Sequence, residues 1–118
     1  MILNKPPDKS LKVFIAAKYS EGDDTESIIE HTEEVVKVSI ELMRKGHTPL
    51  SSHLLFPNFG DIFSSETIIS HAMKILLDCD AIYFMPSLKK SGIRHYLHEC
   101  ADHNGINEIY DIKKFLGE

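Results

Sequence analysis

Cys79-Asp80-Ala81-Ile82-Tyr83-Phe84-Met85-Pro86-Ser87-Leu88-Lys89-Lys90-Ser91-Gly92-Ile93-Arg94-His95-Tyr96-Leu97-His98-Glu99 is the stretch whose reading decides the fold. An apolar run stops at a proline. A short polar, basic loop follows. Ser91-Gly92 then opens a segment dense in titratable groups. Ala81–Met85 is short and apolar at each position, as a strand covered on both faces is. From Gly92 to about His103 the pattern is helical, and Asn104-Gly105 closes it. In open α/β sheets such a strand–loop–helix junction is where ligands bind.

Upstream, the same grammar repeats. Leu11-Lys12-Val13-Phe14-Ile15-Ala16-Ala17 reads as a first buried strand, followed by the polar loop Lys18–Asp24. Thr25 is a fair N-cap, and a helix is predicted from Glu26 to about Lys45. Ile28, Ile29, Thr32, Val35, Val36, Ile40 and Met43 are assigned to one apolar stripe on it. Lys45-Gly46 stops that helix. His47–Ser52 is a second strand, whose Pro49 suits an edge or a strand start. His53–Asp61 is apolar but broken by Pro57 and Gly60, which predicts a loop held against the body. Ser64 or Ser65 caps a second helix that buries Ile68, Ile69, Ala72, Met73 and Leu76. Downstream, Ile106–Asp111 reads as a short fourth strand. Lys113–Leu116 is too short to assign. The order β-α-β-α-β-α-β implies a parallel sheet of four to five strands in a three-layer α/β sandwich. Residues 1–10 read as a flexible leader and residues 11–118 as one domain.

The bulk numbers narrow the function classes. A chain of 118 residues builds a core without disulfides or metals. Its net charge is −5, and its lysines pair only at Lys89-Lys90 and Lys113-Lys114, which argues against binding a nucleic-acid polymer. Its two cysteines form no disulfide framework or metal knuckle, so a reducing, cytoplasmic setting is expected. No apolar run reaches membrane-spanning length, and no membrane partner is expected.

Three loops should converge on the carboxyl edge of the sheet. The first carries Lys18, Tyr19 and Ser20. The second carries His53. The third carries Ser87, Lys90, Ser91 and Gly92, with Arg94, His95 and Glu99 behind it on the helix. Free N–H groups at a Ser-Gly helix start suit an anion or a plain cap. His95 and Glu99, four residues apart, suit an acid–base unit or a solvated pair. His95, His98, Glu99 and His103 would need further ligands from His53 or Asp61 to hold a metal, so no metal and no cofactor is expected. Cys79 and Cys100 are assigned to the core. Asp78 and Asp80 lie at the entrance of the strand and are assigned to solvation or capping.

Taken together, Val13–Ser20, Lys45–Pro49, His53–Pro57, Cys79–Ile82, Ser91-Gly92 and Ala101 through Gly105-Ile106 resemble the nucleoside 2-deoxyribosyltransferase-like superfamily, in its small, poorly characterised bacterial and phage branches. The resemblance implies a flavodoxin-like (Rossmann-like) fold and a homodimer or larger homo-oligomer. It implies cleavage or exchange of the N-glycosidic bond of a small-molecule nucleoside or nucleotide, through a carboxylate nucleophile and a covalent sugar intermediate. It makes Glu99 the nucleophile and Tyr19 its positioner. Ser91 and Gly92 then hold the 5′ end, and Lys18, Ser20, His53, Ser87, Lys90, Arg94 and His95 complete the substrate site. One departure stands out. The family's glutamate lies about four residues after the glycine and about four before the alanine, which here gives Tyr96 or Leu97. Glu99 comes two or three residues late. The alternative is a catalytically inactive relative that binds a nucleotide or an ADP-ribose-like ligand as a sensor or sponge.

Overall fold

The structure is a computed structural model and describes residues 10–17, 25–55, 62–88 and 92–117. In chain order the elements are β1 (Lys12–Ala16), α1 (Thr25–Arg44), β2 (Thr48–Leu50), α2 (Ser52–Leu55), α3 (Ser65–Leu76), β3 (Ala81–Phe84), a 3₁₀ turn (Pro86–Leu88), α4 (Gly92–His103), β4 (Asn107–Ile109) and α5 (Ile112–Leu116). The strands form one sheet in the order β2-β1-β3-β4. All three pairings are parallel, with Lys12 opposite Thr48, Ala16 opposite Phe84 and Ala81 opposite Asn107. This is the three-layer, flavodoxin-like α/β arrangement that the alternation of strands and helices implies.

β1 and β3 are central, and alternation along them splits the core in two. Phe14, Ala16, Ile82 and Phe84 point to one face, where Ala72 and Leu76 of α3 and Leu97 and Ala101 of α4 cover them. Val13, Ile15, Ala81 and Tyr83 point to the other, covered by Val35 and Leu42 of α1 and Leu116 of α5. Burial on both faces explains why both strands read as unbroken apolar runs. Pro49 lies on the edge strand β2, where its missing N–H does least harm. The amino ends of the central strands are tied together by Asp80, whose carboxylate accepts the Lys12 N–H at 2.9 Å. Its backbone N–H also donates to the Lys12 carbonyl at 2.9 Å.

Three local expectations change. The stripe predicted for α1 is two faces. Val35, Ser39 and Leu42 meet the sheet, whereas Ile29, Val36, Ile40 and Met43 are exposed. Ser39 satisfies its buried hydroxyl by donating to the Val35 carbonyl at 2.7 Å. The segment after β2 opens as the short helix α2 and not as a loop. The unassigned tail forms α5, capped by Asp111. Elsewhere the boundaries agree closely. Ser64 is the N-cap of α3 and accepts the Thr67 N–H. α1 and α4 end at Gly46 and Gly105, both with positive φ.

Candidate functional site

A small cleft opens at the carboxyl end of β1. Phe14, Ile15, Ala16 and Ala17 form its floor, Ile68, Ile69 and Ala72 of α3 one wall, Ile93 and Leu97 of α4 the other, and Ser52 at the start of α2 its rim. The enclosed volume is about 30 Å³, so the space is a slot. It lies where the parallel topology directs the loops after β1, β2 and β3. Its wall is apolar because α3 and α4 lean on the sheet with the same residues that build the core.

The first turns of α4 carry the remaining chemistry. Leu97 and Ala101, four residues apart, are buried. That register turns Glu99 about 200° around the helix axis from Leu97. Its carboxylate is 56% exposed and pairs with His95 Nε2 at 3.3 Å, with His95 also exposed. Arg94 takes a third direction. Its guanidinium stands over the rings of Phe84 at 5.7 Å and Tyr110 at 5.6 Å. Those rings stack on each other at 5.3 Å. Such stacking orients a cation. Burial raises the pKa of the Tyr110 hydroxyl, with Glu108 acting the same way and Arg94 opposing. His98 contacts Glu108, which ties α4 to β4 beside this clamp.

The predicted site residues therefore divide. Lys18, Tyr19, Ser20, Lys90 and Ser91 lie outside the described residues. His53 and Ser87 are described in their backbone only, in α2 and in the 3₁₀ turn. Gly92 begins α4. Arg94, His95 and Glu99 are on that helix, but Arg94 lies over the β3–β4 edge and the His95–Glu99 pair faces solvent. Leu97 and Ile93 were missed as cleft residues. The spacing Ile93, Leu97, Ala101 was available in the sequence as the signal of an inward face. Among the described residues, no three His, Cys, Asp or Glu side chains converge to hold a metal ion.

The chain resembles a solved 2-deoxyribosyltransferase. That enzyme comes from the psychrotolerant bacterium Bacillus psychrosaccharolyticus; the two chains share 12% identity, each is covered over 91% of its length, and the TM-score is 0.59. At that identity the likeness establishes the fold. No protein-family model matches the chain. No curated protein matches it either. Among the described residues, no helix is long and apolar enough to cross a membrane.

Proposed function

We propose that this protein binds a nucleoside or nucleotide at the carboxyl edge of its sheet, with the sugar against the slot between β1, α3 and α4, and acts on the N-glycosidic bond. The observation that carries the reading is the likeness to the 2-deoxyribosyltransferase across 91% of both chains, with an apolar slot at the carboxyl end of β1. An apolar wall suits a 2-deoxy sugar. A ribose would bring its 2′ hydroxyl against that wall, where a hydroxyl left without a hydrogen bond costs about 1–3 kcal/mol. This reading assigns Ser91-Gly92 to the sugar's 5′ end or its phosphate and Lys18, Ser20, His53, Ser87 and Lys90 to the rest of the substrate site. In the same reading Tyr19 is assigned to position the nucleophile, and Arg94, held over the β3–β4 edge, is not assigned to the reacting centre.

A second reading is favoured by one observation. A nucleophile must approach the anomeric carbon to about 3 Å. The α4 positions that line the slot are Ile93 and Leu97, while Glu99 is 56% exposed and paired with His95. Binding without turnover follows if no other carboxylate reaches the sugar. The test is incubation with deoxynucleosides and deoxynucleoside monophosphates, read by chromatography for free base and by calorimetry for binding. Base release that Glu99→Ala abolishes supports the enzymatic reading with Glu99 as nucleophile. Saturable binding without release supports the silent reading. Absence of both removes the nucleotide proposal.

A further inference from the structure

The clamp of Arg94, Phe84 and Tyr110 does not belong to the slot. Ile93 and Leu97 are the α4 residues that line the slot, whereas Arg94 lies over the β3–β4 edge. Strand register builds the clamp. Tyr83 lies opposite Ile109, so the next residues, Phe84 and Tyr110, come side by side at the carboxyl end of the sheet. Their rings are within 17° of parallel. Phe84 is 4% exposed and Tyr110 53%, so the stack ends on an open aromatic surface. The cation beside it is held by more than the rings. The Tyr110 hydroxyl accepts from Arg94 and donates to Glu108. Glu108 in turn contacts His98 of α4. This chain of contacts fixes Tyr110 and Arg94 relative to each other before anything binds, which lowers the ordering cost of binding.

Three properties of the clamp identify its occupant. The open Tyr110 ring favours a flat aromatic ring, which gains both buried area and offset stacking. The charges beside it favour a neutral one. Arg94 opposes a cation, and Glu108 opposes a phosphate or carboxylate. The guanidinium then selects the edge of that ring. It presents five N–H donors in a planar fork, so its bond to Tyr110 does not exhaust it. The match for such a fork on a neutral ring is a pair of adjacent acceptors, as on the O6/N7 edge of a 6-oxopurine. A 6-aminopurine carries a donor at the same edge and loses half of the match.

We propose that Tyr110 and Arg94 form a second ligand site, at the β3–β4 edge, which takes a neutral 6-oxopurine by stacking on Tyr110 and by donation from Arg94 to its O6/N7 edge. The site is independent of what the slot binds, so the test uses bases that carry no sugar. Hypoxanthine titrated into the full chain should bind by calorimetry and shift the Tyr110 ring protons in NMR spectra. It should bind about tenfold more tightly than adenine. Tyr110→Ala should weaken hypoxanthine by about tenfold, with unchanged circular dichroism. Arg94→Met should bring hypoxanthine down to the affinity of adenine and leave adenine nearly unchanged. 2-Deoxyribose 5-phosphate, which has no base, should not displace hypoxanthine. Inosine run in parallel identifies the source of the ring: tighter binding than hypoxanthine points to the nucleoside, equal binding to the free base, and both support the site. Absence of hypoxanthine binding overturns the proposal. So does equal affinity for adenine in the native protein, binding that survives Tyr110→Ala, or displacement by the sugar phosphate.

Discussion

Leu97 and Glu99 are two residues apart and belong to different worlds. Leu97 is buried beneath α4, and truncating it to alanine should cost about 2–5 kcal/mol, read by urea unfolding. Glu99 makes an exposed pair with His95. Glu99→Ala should change stability by less than about 0.5 kcal/mol and nucleotide affinity by less than about twofold. A tenfold loss of binding would put the carboxylate back in the site. Cys79 behaves as a core residue with a thiol. Burial pushes its pKa from 9.0 to about 11, with Asp80 and Asp78 adding to the shift and Lys12 opposing it. The folded state thus holds a proton that the unfolded chain releases at lower pH. The stability from this group is complete below pH 9 and is lost as pH rises from 9 towards about 11. Unfolding measured across that window should show a steeper decline for the native protein than for Cys79→Ala. Equal slopes would mean the thiol is not desolvated.

α5 shows why a short element escapes a periodicity reading. Ile112–Leu116 is too short to establish a helical repeat, yet it is well terminated. The Asp111 carboxylate accepts the Lys114 N–H at 3.1 Å, and Gly117 takes the left-handed conformation at φ 79°. Asp111→Ala should cost about 1 kcal/mol, read as a lower urea midpoint at constant slope. No change would mean that Leu116 in the core, and not the cap, holds this element. α2 was hidden for the opposite reason, because Pro57 and Gly60 dominate the stretch that follows it. α1 was legible as a helix but not as a surface. Periodicity collects apolar residues over a broad arc and cannot say which part of that arc meets the sheet. Leu42 and Ser39 settle it, and neither stands out in the sequence, one being missing from the apparent stripe and the other polar.

At the scale of the whole molecule, the alternation of unbroken apolar runs with amphipathic segments was enough to read a parallel three-layer sheet. Such runs are apolar at successive positions only when both faces are covered. The site was less legible, because it depends on which way each α4 side chain turns and on loops whose local sequence carries no repeat. The proposed nucleotide site nevertheless carries a prediction at this scale. The slot joins β1 to α3 and α4, so a ligand seated there bridges three elements of one core layer. It should bind the folded state alone and therefore stabilise it by mass action. At a hundred times its Kd, a deoxynucleotide should contribute about 2.7 kcal/mol. For a chain of this size that raises the melting temperature by about 10 °C. The corresponding ribonucleotide should give a smaller rise at equal concentration, because its 2′ hydroxyl meets the apolar wall formed by Ala16, Ile93 and Leu97. Differential scanning calorimetry with the paired ligands reads both quantities. A larger rise with the ribonucleotide would place the sugar outside the slot. A rise that survives Leu97→Ala undiminished would place the whole ligand away from α4.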